Sequence, residues 1–151
     1  MPKPFVKLIS TFCYVGYFPM APGSAATCVG VAIYYFLQSH LWVYCAAWVV
    51  ITFLGFTFTG GMEAVCKEKD PSCVVIDEVS GVMIAFFLLP LKWPVVVSAF
   101  FVFRAFDMFK IYPANKLEQL SGGAGIMLDD IIAGIYTNLV MHSALSWVGS
   151  N

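Results

Sequence analysis

Residues 8–62 read LISTFCYVGYFPMAPGSAATCVGVAIYYFLQSHLWVYCAAWVVITFLGFTFTGGM, 55 residues without an Asp, Glu, Lys or Arg. A helix rises about 1.5 Å per residue and a bilayer's hydrocarbon core is about 30 Å thick, so one crossing takes roughly 20 residues. The run is too long for one crossing and suits two. A second uncharged run, 131–151, suits another. The rest of the 151-residue chain agrees: 60% of residues are hydrophobic, 11% are charged and the mean hydropathy is +0.84. A soluble domain carries roughly 25% charged residues. The segments are continuously apolar and lack the in–out alternation of a membrane barrel. The sequence therefore predicts an all-α, polytopic helical membrane protein forming a single domain over 1–151.

Turn and breaker residues divide this domain into about five membrane-crossing helices. They are expected at about Ser24–Gln38, Leu41–Thr59, Ser72–Leu89, Trp93–Tyr112 and Leu128–Trp147. Gly60-Gly61, Pro90, Pro94 and Pro113 serve as stops, and the segment 121–125 reads as a flexible glycine-rich loop. A charged stretch, Glu63 to Asp70, separates the second and third helices. Ahead of them, Phe5, Leu8, Ile9, Phe12, Cys13 and Gly16 recur at helical spacing. Pro19 and Pro22 interrupt the apolar run where a signal peptide would be cleaved, and its apolar character continues beyond. The N-terminal stretch fits an interfacial or re-entrant segment better.

Five crossings place Lys3, Lys7, Lys67, Lys69, Arg104, Lys110 and Lys116 on one side and Lys92 on the other. The positive-inside rule makes the first side cytoplasmic, so a multi-pass chain with a cytoplasmic N-terminus and an extracytoplasmic C-terminus is expected. A net charge of −1 with no basic stripe leaves no footprint for nucleic acid. The five cysteines are odd in number, include no Cys-x-x-Cys pair and mostly lie in apolar segments, so buried free thiols are expected. His40 and His142 read as interfacial polar residues. Oligomeric state is not encoded in these patterns.

Three polar islands interrupt the apolar helices: Asp77-Glu78, then Arg104, Asp107 and Lys110, then Asp129-Asp130. The five-crossing topology sets all three at the cytoplasmic boundary. Arg104, Asp107 and Lys110 share a helical face. Asp77 and Asp130 are each followed four residues later by a glycine, Gly81 and Gly134, which lets a neighbouring helix come close. Five carboxylates against two bases, beside a low-dielectric medium, must protonate, separate or bind cations. Carboxylate oxygens with water are the natural shell of Mg²⁺, and Arg and Lys suit phosphate oxygens. Asp77, Glu78, Asp107, Asp129 and Asp130 are the carboxylates available for such a shell. Asp107 is a candidate for orienting the bases, completing the shell or acting as a base. Backbone groups at Gly23-Ser24 could hold an anion at a helix start, and Gly122-Gly123 could let the chain approach a phosphate.

Taken in order, 19–24 (PMAPGS), 76–81 (IDEVSG), 103–110 (FRAFDMFK) and 122–134 (GGAGIMLDDIIAG) resemble the phosphatidylglycerophosphatase A family of bacterial membrane lipid phosphatases. The resemblance implies Mg²⁺-dependent removal of the terminal phosphate from phosphatidylglycerophosphate, giving phosphatidylglycerol. It implies catalysis by Asp77, Glu78, Asp107, Asp129 and Asp130, with Asp77, Glu78, Asp129 and Asp130 as the metal ligands, substrate binding by Arg104, Lys110, Gly23, Ser24, Gly122 and Gly123, and a multi-pass place in a bacterial cytoplasmic (inner) membrane with the active site facing the cytoplasm. Two alternatives stand beside it. A CDP-alcohol phosphotransferase also clusters aspartates with Mg²⁺, though with another spacing. A small membrane carrier would set its ionisable groups near the bilayer midplane.

Overall fold

The computed structural model describes residues 3–68, 71–117, 119–120 and 122–149. Lys69 and Asp70 of the charged stretch, Ser121 of the glycine-rich loop and the last two residues of the final apolar run lie outside the described residues. Among the described residues the secondary structure is helical, with no strand. Seven α-helices follow one another: α1 (Lys3–Ser10), α2 (Pro22–Leu37), α3 (Leu41–Cys66), α4 (Ile76–Phe86), α5 (Trp93–Phe109), α6 (Ala114–Leu117) and α7 (Gly123–Gly149).

α4 is the hub, packed by α2, α3, α5 and α7. Nine of its 11 residues are buried, which is why its sequence is apolar on every side. Its closest neighbour is α7. A Cβ added to Gly81 would lie 2.5 Å from the Asp130 carbonyl oxygen, and one added to Gly134 would lie 2.2 Å from that of Gly81. The backbones touch, as the spacing of the two glycines predicts. Phe86, Phe103, Met83 and Val79 fill the core around this contact.

The expected count of five crossings is not supported. Among the described residues two helices are long and apolar enough to cross a membrane, α3 with 26 residues and α7 with 27. α2 has 16 residues and α5 has 17. α4, at roughly 16 Å, cannot cross alone. Its apolar run reflects burial inside protein, a cause that hydropathy cannot distinguish from burial in lipid.

The C-terminus of α4 therefore stops inside the bundle, where its last carbonyls have no intrahelical partners. Side chains from other helices supply them. Tyr44 donates its hydroxyl to the Met83 carbonyl and Tyr34 donates to that of Leu89. Asn138 Nδ2 donates to the carbonyls of Ala85 (3.2 Å) and Phe87 (2.8 Å), and His142 Nε2 lies 3.2 Å from the Phe87 carbonyl. His142 is thus a capping residue and not simply an interfacial one.

Other boundaries shift for local reasons. Gly60 and Gly61 do not end α3, which runs on to Cys66 and stops at Lys67 in the left-handed region (φ 57°). A Cβ on Gly60 would lie 2.9 Å from the Gly123 amide nitrogen, so this glycine admits the start of α7. Gly123–Gly125 is the first turn of α7 and not loop. α5 stops at Phe109, before Lys110 with φ 44°. The N-terminal segment is no single helix. After α1, Phe12, Cys13 and Tyr14 all have positive φ, and a short 3-10 turn follows at Val15–Tyr17. The five thiols are free, but Cys13, Cys28 and Cys66 are exposed, because apolar surroundings in this chain include its outer face.

Candidate active site

The three polar islands meet in one cavity of about 340 Å³. Its wall comprises the start of α2 (Ala21 to Ser24), the first turn of α4 (Asp77, Glu78), the end of α5 (Arg104, Asp107, Lys110) and Asp129-Asp130 of α7. Pro71, Ser72 and Val74 complete it. Those three were not singled out from sequence. The Pro-Ser step after the charged stretch was the available signal, and it reads equally well as a helix start.

Asp77 and Glu78 occupy the N-terminal turn of α4, where the helix dipole favours negative charge. Asp130 reaches them across the Gly81–Gly134 contact. One carboxylate oxygen from each of Asp77, Glu78 and Asp130 falls within 4.8 Å of the others. A cation with oxygen bonds of roughly 2.0–2.6 Å can bridge such a spacing. Asp77 is 7% exposed and Asp130 2%, and Glu78 Oε2 is buried with no hydrogen-bond partner among the described residues. Burial pushes the Glu78 carboxyl up to about 7; the nearby Asp107 adds to the rise, while a hydrogen bond with Asp77 and the Arg104 charge oppose it. Three crowded carboxylates with an orphaned oxygen need a proton or a cation, and the all-oxygen donor set fits Mg²⁺.

Asp129, also nominated as a metal ligand, stands beside this group and does other work. Its Oδ2 accepts from Lys110 Nζ at 2.9 Å and its Oδ1 from the Asp130 amide at 3.0 Å. Asp107 accepts from Arg104 Nη1 one turn before it. Each base in the cavity thus has a carboxylate holding it in place. Such charge-assisted pairs fix the directions of the guanidinium and the ammonium.

Gly23 backs against the reactive groups. A Cβ there would lie 2.4 Å from Glu78 Oε1 and 3.0 Å from Arg104 Nη1. The N-cap of α2 is Ala21, not Ser24, so the first-turn amides of Gly23 and Ser24 have no intrahelical acceptor. Both residues line the cavity wall. Gly122 and Gly123 are not brought there. Gly123 packs on α3, where a Cβ would lie 2.6 Å from the Phe56 carbonyl oxygen, and Gly122 (φ 71°) faces open space.

The arrangement offers a cation-binding carboxylate group, two cations for anionic oxygens and backbone donors at one helix start. A phosphate ester is the ligand class that uses all three. A family model described as Phosphatidylglycerophosphatase A matches residues 8–145. A Bacteroides thetaiotaomicron protein named as a candidate phosphatidylinositol-3-phosphatase is 37% identical over 93% of both chains. An Escherichia coli phosphatidylglycerophosphatase A is 27% identical over 84% of this chain and 76% of its own. The Haemophilus influenzae phosphatidylglycerophosphatase A is 38% identical over 52% of this chain and 50% of its own. No solved structure matches the chain.

Proposed function

The chain belongs to the phosphatidylglycerophosphatase A family, and from that premise we propose that it hydrolyses the terminal phosphate monoester of phosphatidylglycerophosphate, with Asp77, Glu78 and Asp130 holding Mg²⁺. The products are phosphatidylglycerol and inorganic phosphate. The observation that carries this reading is the convergence of acidic residues from α4 and α7 with Arg104 and Lys110 in a single cavity. Mg²⁺, when bound, would draw charge from the phosphoryl oxygens and make a nearby water more acidic. Arg104 and Lys110 neutralise the remaining oxygens as charge builds up, and the amides of Gly23 and Ser24 add donors. Asp107 and Asp129 keep the two bases aimed. The bond that forms joins phosphorus to a water or carboxylate oxygen, and the bond that breaks joins phosphorus to the glycerol oxygen, which takes up a proton. If a carboxylate attacks first, water then cleaves the acyl phosphate to release inorganic phosphate, and an acid quench traps a phosphoenzyme that hydroxylamine cleaves; direct water attack leaves none.

The setting is read as a bacterial inner membrane crossed more than once, with the cavity facing the cytoplasm. Supporting it, α3 and α7 have spanning length, and Arg104 and Lys110 stand at the cavity end of α5 while Lys92 stands at its other end. The name of the Bacteroides relative favours a second reading, phosphatidylinositol 3-phosphate as substrate. Both lipids carry a phosphomonoester on a headgroup, so the same groups would serve. The test is phosphate release from each lipid in mixed micelles, with and without EDTA. Release from phosphatidylglycerophosphate that stops with EDTA and returns with Mg²⁺ is the expected result. Release from the inositol lipid alone selects the second reading, and release that EDTA leaves intact removes the metal assignment.

A further inference from the structure

α2 and α5 run antiparallel, and each contributes one end to the polar cavity. The faces that line the cavity continue as apolar stripes. On α2 the stripe passes from Ser24 to Cys28, Val31 and Tyr35; on α5 it passes from Arg104 to Phe101, Val97 and Trp93. These are helical spacings, so each stripe stays on one side of its helix. Between them lies a groove formed by two adjoining hollows of about 490 and 270 Å³ that share Cys28, Val31, Trp93 and Val96. Its walls are uncovered among the described residues: Tyr35 is 57% exposed, Phe101 65% and Trp93 80%. From Ser24 to Tyr35 the groove descends roughly 16 Å at 1.5 Å per residue. That is about half of a ~30 Å hydrocarbon core, the depth of one leaflet.

We propose that this groove holds an acyl chain of the lipid whose phosphate sits in the cavity, and that the lipid enters sideways from the bilayer between α2 and α5. The inference rests on the phospholipid-phosphatase reading given above. Its support is continuity: the same two helix faces change from polar to apolar where a phospholipid does. A larger apolar hollow of about 610 Å³ lies among α3, α4 and α7, lined by Trp48, Val49, Ile84 and Ile135. It fails this criterion, because α3 contributes nothing to the polar cavity and the Gly81–Gly134 contact closes α4 onto α7. A lipid tail is as apolar as the groove, so moving it from bilayer to groove contributes little net affinity. What the groove supplies is orientation of the headgroup.

The test compares dioleoyl with dihexanoyl phosphatidylglycerophosphate in mixed micelles. Val31→Trp and Val97→Trp obstruct the groove roughly 10 Å below the cavity, deeper than a six-carbon chain reaches. The expected result is a fall of about tenfold or more in the ratio of kcat/KM for the long lipid to that for the short one. Val50→Trp, on the exposed face of α3 outside both hollows, leaves the ratio unaltered. An unaltered ratio in the groove variants, an equal fall in Val50→Trp, or a fall produced instead by Val49→Trp overturns the assignment. Where a variant does not fold, the wild-type protein decides. Cys28 lies roughly 6 Å below the cavity, within reach of either chain, so its protection from N-ethylmaleimide by the dioleoyl lipid but not by glycerol 3-phosphate, read by mass spectrometry, supports the groove, and absence of protection overturns it. Wild-type protein that releases phosphate from neither lipid overturns the substrate reading separately, and Cys28 still reports on the groove.

Discussion

Asp129 and Asp130 are adjacent in sequence yet do different things. Asp130 joins Asp77 and Glu78, whereas Asp129 holds Lys110 and the Asp130 amide. Residues that only orient a metal ligand typically cost 10–100-fold when removed. Asp129→Asn is therefore expected to lose activity within about that range, and Asp130→Asn to lose more than about 100-fold, with a raised Mg²⁺ requirement. Phosphate release titrated against Mg²⁺ checks both; equal losses would count against the division. Gly23→Ala is a sharper case. The added methyl meets the tips of Glu78 and Arg104, which are flexible and can yield, so the fold survives. Their displacement by a fraction of an ångström to 1 Å is expected to cost about 100-fold in kcat/KM with little change in Tm. The islands containing Asp77, Glu78, Arg104, Asp107, Lys110, Asp129 and Asp130 were legible in the sequence because a charge in an apolar helix has few other reasons to be there. The division of labour within them was not, since it depends on which way each side chain turns. Gly122 and Gly123 misled because a glycine admits a neighbouring helix as readily as a ligand.

At the scale of elements, the two glycine–backbone contacts between α4 and α7 fix how closely the acidic residues approach. Gly81→Val drives a side chain into the rigid Asp130 carbonyl, 2.5 Å from the Cβ position. It is expected to destabilise by about 1–3 kcal/mol, the usual cost of overpacking, visible as a lower Tm in detergent. Tyr44→Phe strips a donor from the Met83 carbonyl, and leaving a buried group unsatisfied costs about 1–3 kcal/mol. Unlike Gly23→Ala, it should lower Tm with little change in kcat per folded molecule. The helix types and most of the turns were readable from Pro, Gly and apolar periodicity. The true ends of α3, α4 and α7 were not, because they are set by what each terminus meets in space.

At the scale of the molecule, α3 and α7 are the helices of spanning length among the described residues, and Arg104 and Lys110 line the cavity at one end of α5 while Lys92 stands at the other. Cys13 and Cys66 are both exposed, one just beyond α1 and the other at the last residue of α3. Both should react with a membrane-impermeant maleimide in inverted inner-membrane vesicles and resist it in right-side-out spheroplasts. Labelling on opposite sides, or from outside, would contradict the orientation. Hydropathy pointed to an all-helical chain with membrane spans, and among the described residues two helices, not five, have spanning length. The innermost helix of a small bundle is as apolar as a crossing one, and only its length of 11 residues in space separates the two.

α4 has one end pinned by tyrosine, asparagine and histidine side chains and carries Asp77 and Glu78 at the other. A short rod clamped at its foot behaves as a ruler. It sets the height at which the carboxylates stand above the clamp. On the lipid-phosphatase reading proposed above, such an arrangement selects esters by elevation: a phosphate tethered to a lipid at the right level is met in place, while one dissolved in water must find that level unaided.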